Sequence, residues 1–161
     1  MRKHHLFWLW ILFWAGPWGL PSASRAECPP APSDGQTIYV PAYSHIYGGD
    51  RERPFLLTVT LSVRNTDPNH PIRVTAADFY DTRGALLQRF VTAPQVLQPL
   101  ESVRHVVPEK DKTGGSGANF IVIWKSDRPV NPPIVEAVMI GTQSQQGLSF
   151  TSRGQVIVDT R

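Results

Sequence analysis

The chain of 161 residues carries 16 Lys and Arg against 13 Asp and Glu, with a single cysteine, which fits one domain around one hydrophobic core and excludes an intrachain disulfide framework. The whole positive excess comes from Arg2, Lys3 and Arg25, because residues 1–26 contain no acid. The remainder is neutral and holds no run of basic residues, so the basic patch that a nucleic-acid binder requires is not expected.

In chain order, Arg2 and Lys3 form a positive start and Leu6 to Ala15 an unbroken apolar run. A Gly- and Pro-containing stretch follows, ending Ser24-Arg25-Ala26. These are the three parts of an export signal, with cleavage expected between Ala26 and Glu27. Ten apolar residues are about half of what spans a bilayer, so a retained anchor is not expected. Cys28 follows the cut by two residues. Lipid attachment would need a small residue just before it, where this chain has Glu27, so a lipoprotein is not expected either. The expected location is periplasmic or secreted, with no membrane attachment after cleavage.

Residues 27–35 contain Cys-Pro-Pro-Ala-Pro-Ser-Asp-Gly and read as a Pro-rich disordered leader. From residue 36 to 161 a single domain is expected. Phe55, Leu57, Val59, Leu61 and Val63 alternate with Thr58, Thr60, Ser62 and Arg64, the period of a strand with one face buried. The same period predicts strands at 37–43, 72–80, 85–91, 102–107, 119–125, 134–142 and 148–158, the last broken at Gly154. Gly, Pro, Asn and Asp clusters mark the turns between them. No long stretch keeps a helical period free of Pro or Gly. Seven to eight short strands predict an all-β fold, a single-domain antiparallel β-sandwich of immunoglobulin-like architecture. Phe120, Val122 and Trp124 share one face of a strand and Ile121 and Ile123 the other, so that strand is expected to be central and covered on both sides. His105 lies between Val103 and Val107 on one face and reads as a satisfied, semi-buried core histidine.

The segments IYVPAYSHIY (38–47), LSVRNTD (61–67), FYD (79–81), GGSGANFIV (114–122) and EAVMIG (136–141), followed by QGLSF (146–150) and SRG (152–154), resemble those of the DUF3124 family, an uncharacterised bacterial domain found in exported proteins. The resemblance spans most of residues 36–157 and implies membership; it brings no activity, cofactor or catalytic residue with it.

The residues themselves carry no catalytic set. His45, His70 and His105 sit on separate segments, no nucleophile lies in a Gly-x-Ser-x-Gly turn, and no Cys or His pair has metal-ligand spacing. The Gly-rich run from Thr113 to Asn119 lacks the Lys-Ser/Thr pair and the following helix of a phosphate loop, and reads as a long hairpin loop with glycines at positive φ. Asp78 and Asp81 read as turn-capping carboxylates. No catalytic residue, metal or cofactor is therefore expected. Antiparallel order would gather the loops 44–54, 81–84, 108–118 and 143–147 at one end. That end carries Tyr43, His45, Tyr47, Arg51, Asp81, Arg83, Gly114, Gly115, Ser116, Gly117 and Asn119, the candidate surface for a ligand or partner. The expected function is a non-enzymatic exported module binding a protein or small molecule outside the cytoplasm. The alternatives are a structural accessory subunit of an envelope complex, or a small hydrolase using the loop-rich end.

Overall fold

The structure, a computed structural model, describes residues 30–48, 52–142 and 147–160. The expected signal peptide, its cleavage point at Ala26 and Glu27, and Arg51 lie outside these residues. Twelve strands are formed among them: β1 (Ser33–Pro41), β2 (His45–Gly48), β3 (Arg53–Leu56), β4 (Thr58–Arg64), β5 (Ile72–Tyr80), β6 (Leu86–Arg89), β7 (Gln95–Leu97), β8 (Ser102–Val107), β9 (Asn119–Val130), β10 (Ile134–Gly141), β11 (Leu148–Arg153) and β12 (Gln155–Asp159). One sheet runs β12-β1-β9-β5-β6, with β7 also on β5. A second runs β11-β10-β4-β8, and β2 and β3 form a small hairpin. All pairings are antiparallel. The fold is an all-β sandwich, as the alternation predicts.

The core is what period two dictates. Val59, Leu61 and Val63 of β4 face Phe120, Val122 and Trp124 of β9, all six fully buried. Phe79 and Phe120 meet with centroids 4.8 Å apart. β9 is central, flanked by β1 and β5, but its outer face is only half covered: Ile121 and Ile123 remain partly exposed.

Several boundaries differ from expectation, each for a tertiary reason. The leader is shorter, because Ser33, Asp34 and Gly35 belong to β1. Ser33 is 1 % exposed, opposite Val130, and its hydroxyl donates to Asp159 Oδ1 at 2.6 Å. Likewise β9 continues to Val130, into the turn expected over 127–133, and Arg73 of β5 forks onto its Asp127. The strand expected over 55–65 is two: β3 pairs with β2, and the chain steps into the four-stranded sheet at buried Leu57, whose N–H donates to Ser44 O. β7, three residues long, is too short to show a period. The break at Gly154 is present and has a steric cause. A β-carbon there would fall 2.5 Å from Ile38 Cγ2 and 2.9 Å from Val135 O, so only glycine lets β11 cross into β12 on the opposite sheet.

Candidate functional site

Pro41 and Tyr80 both lie opposite Asn119, and Val59 opposite Val107. Topology therefore sends the connections 42–57, 81–85 and 108–118 to one end. Gly141 opposite Leu148 brings the ends of the 142–147 connection there as well, residues 143–146 lying outside those described.

At this end the Gly-rich run is no hairpin. It carries the chain from β8 on one sheet to β9 on the other and winds a 3-10 turn at Gly115–Gly117. Of its glycines only Gly115 has positive φ, 78°. Gly114 is required by closeness instead: a β-carbon would lie 2.6 Å from both Phe79 Cζ and Ser44 Oγ. The loop's backbone groups are largely engaged within the protein. Thr82, which sequence reasoning passed over, donates N–H and Oγ1–H to Gly114 O and accepts from Gly117 N–H, each at 3.0 Å. Ser44 N–H donates to Gly115 O at 2.9 Å.

The other candidates divide. Tyr43 packs edge-on against Phe150, centroids 5.8 Å apart, and helps close the core. Asp81 caps its own turn, its Oδ1 accepting from Arg83 and Ala85 N–H at 2.8 Å; Asp78 faces Arg89 across the hairpin at 3.9 Å. Arg83 is exposed and Ser116 half-buried. His45 and Tyr47 form a separate pair, Nε2 to hydroxyl at 3.2 Å, with Tyr47 exposed. The structure thus brings Gly114, Gly115, Gly117 and Asn119 together with the Tyr43 and Asp81 segments, joined mainly through Ser44 and Thr82. Tyr47 and Arg83 point outward without joining them into a constellation.

A concavity lies elsewhere. β11 pairs with β10 only as far as Glu136 opposite Arg153, then crosses to the other sheet. Beyond that crossing the sandwich is open at its side, leaving a groove of about 740 Å³. Ile38 and Val156 line it from one sheet and Ile134 and Val135 from the other, with Pro132 and Pro133 of the β9–β10 connection, and its polar side chains are Gln36, Thr66, Asn131 and Arg153. Gln36 is 6 % exposed. Trp124 Nε1–H donates to its Oε1 at 3.3 Å; since indole is only a donor, this fixes the amide orientation. The Gln36 NH2 is then left with no hydrogen-bond partner among the described residues. Arg153 has no ion-pair partner among them either; the nearby Glu136 pairs with Arg64 at 3.6 Å. Nothing in the sequence signals this groove, because its residues come from five separated segments.

The proline-rich end holds a buried polar network. Asn65 Nδ2 donates to His70 O and Gln98 O, both at 2.9 Å. Asp67, 7 % exposed, accepts from Asn69 and His70 N–H at 2.9 Å, Asn131 N–H at 3.1 Å and His70 Nδ1.

His105 is semi-buried as expected but not satisfied: Nε2 is enclosed without a partner, and the ring lies 5.2 Å from that of Phe90. Burial holds its pKa below the ordinary imidazole value. The neutral form is favoured in the fold, so His105's share of stability is full above about pH 6.5 and is lost as pH falls through the lower folded value. His105→Leu is expected to raise stability at pH 7.5 by about 1 kcal/mol, through loss of an unpartnered polar atom. It should also flatten the decline between pH 7 and 5; urea melts across that range check it, and an unchanged pH slope would count against the assignment.

These features define an antiparallel β-sandwich with an apolar groove in its side. The chain belongs to the DUF3124 family, proteins of unknown function, whose family model matches residues 35–157. No curated protein matches it. Among solved structures, "Crystal Structure of Thermotoga maritima 1070" is similar at 12% identity with a TM-score of 0.44, covering 74% of this chain and 92% of that chain.

Proposed function

We propose that this protein is an exported, non-enzymatic binding module whose binding site is the lateral groove rather than the loop-rich end. One observation carries this reading: an apolar groove lined by the Gln36 amide, whose oxygen alone is bonded, and by Arg153, which has no ion-pair partner among the described residues. Sites for small molecules are mostly apolar concavities with a few placed polar groups, and this volume falls within their usual range. At the loop end the backbone groups of the Gly-rich run are largely bonded within the protein, and the side-chain atoms enclosed there without a partner among the described residues, Ser44 Oγ, His45 Nδ1 and Glu109 Oε1, are dispersed and line no comparable apolar groove. The export part rests on the pattern of residues 1–26.

Two measurements test it. Intact mass of the protein produced with its own leader in a bacterial host should begin at Glu27; an uncut precursor or a lipid adduct on Cys28 would overturn the export reading. Native mass spectrometry of the gently isolated protein should show a retained molecule. Val156→Trp, a filling substitution at a position 44 % exposed, should remove it, while Tyr47→Ala at the loop end should not. The reverse pattern would return the site to the loops.

A further inference from the structure

We infer that the ligand of the groove is an amphiphilic carboxylate, an apolar acyl-like body lying between the two sheets with its anionic head on Arg153 and a carboxylate or carbonyl oxygen on the Gln36 amide. This rests on the groove being the binding site.

The argument begins with what the groove lacks. Its lining contains one charged side chain, Arg153, and no acid. An arginine fork without a carboxylate partner at the rim of an apolar concavity favours a planar anion, which it can hold through two parallel hydrogen bonds. Gln36 is the second, independent feature. A side chain 6 % exposed, with its oxygen held by Trp124 and its NH2 unpartnered among the described residues, presents a donor toward the groove it lines. An occupant that displaces water from this donor must supply an acceptor in its place, so one that carries an oxygen is preferred over a wholly apolar one. Arg153 and the Gln36 NH2 are donors and favour an oxygen-bearing anion over a cation; Thr66 and Asn131, the other polar residues of the lining, carry no charge.

The walls favour an acyl body over an added peptide strand. β12 is an end strand, bonded to β1 on one side only, and could in principle template a further strand. Its register against β1 slips, however, with Thr37 opposite Val158 and Ile38 opposite Val156, leaving Ile157 extra. A bulge of this kind bends and twists an edge away from regular pairing. On the other wall, Pro132 and Pro133 have no N–H to offer a ladder. Ile38, Ile134, Val135 and Val156 instead supply side-chain surface, which suits a flexible hydrocarbon with no hydrogen bonds of its own to satisfy.

The test is titration of the purified protein with decanoate, followed by calorimetry and by the NMR shift of the Trp124 indole N–H, which sits behind Gln36. Binding in the micromolar range with a shift of that resonance is expected. Arg153→Gln should weaken decanoate at least tenfold while leaving decanol, which has the chain without the charge, within twofold. Val156→Trp should abolish both. Equal weakening of decanol by Arg153→Gln would overturn the carboxylate assignment. If decanoate fails while an uncharged apolar peptide binds and Val156→Trp blocks it, the ligand class is wrong but the groove stands. If Val156→Trp changes nothing that binds, the groove reading itself fails.

Discussion

Trp124→Ala is expected to produce the largest loss of stability available from a single side chain, about 3–5 kcal/mol. Trp124 is fully buried at the middle of the central strand, opposite Gln36 on β1 and Val74 on β5. Three costs combine. The transfer energy of the indole is forfeited. A cavity opens between sheets whose backbones are fixed by ladders on both sides of β9 and cannot collapse into it. Gln36 Oε1 loses its donor while remaining almost inaccessible to water. Domains of this kind are stable by only roughly 5–15 kcal/mol, so a melting midpoint lower by on the order of 10–20 °C is expected. Scanning calorimetry checks this, and a drop smaller than a few degrees would show the core to be far more plastic than its packing indicates. Trp124→Phe retains most of the volume and isolates the hydrogen bond, with an expected cost of about 1–2 kcal/mol.

Asp67→Ala is expected to cost about 2–3 kcal/mol although Asp67 lies in a loop. One carboxylate there ties two segments together, accepting from Asn69 and His70 in its own loop and from Asn131 between β9 and β10. Beside it, Thr66 Oγ1–H donates to Pro132 O at 2.8 Å, and Asn65 holds the Gln98 turn. Burial pushes the Asp67 pKa up, but the N–H groups of Asn69, Asn131 and His70, with the His70 side chain, outweigh it and leave the value lowered. The fold thus favours the ionised form. Its contribution is present above the ordinary carboxylate value near pH 4 and is lost as pH falls through the lower folded value. Asp67→Asn retains one acceptor but turns an NH2 toward a backbone donor. It should cost less than alanine at pH 7 and show a shallower stability decline from pH 4 to 2. Urea melts at both ends of that range decide it; parallel curves for wild type and Asp67→Asn would contradict the assignment.

The pattern of legibility follows from what is local. Alternation of apolar and polar residues along a strand is a property of consecutive positions, so β5, β8 and β10 could be located from the sequence with small errors at their ends, and the alternating parts of β4 and β9 as well. Gly154 could be recognised as a break because glycine in an apolar alternation marks a bend or a close approach. Loop clustering at one end was also within reach, since antiparallel order alone determines which connections meet. What those loops do when they meet was not. Aromatic, arginine and glycine residues there suggested an open recognition surface, yet Thr82 and Ser44, small residues with no distinctive spacing, draw the backbone groups of the Gly-rich loop inward. The Asn65-Thr66-Asp67 triplet read as an ordinary turn, because its partners at Gln98, Asn131 and Pro132 lie more than thirty residues away in sequence.

By itself, then, the sequence determined the all-β class, the central place of β9, the identity of the core side chains and the resemblance that the family match confirms, because each depends on residue type and local period. Only the tertiary structure decided where β1 and β9 extend, that the Gly-rich run crosses between sheets instead of turning back, and that the sandwich is open at its side beneath the β11–β12 crossing. The physical reason is the same in each case. Cross-strand registers, a steric requirement at one glycine and a groove assembled from five segments are relations between distant residues, and no window along the chain contains them.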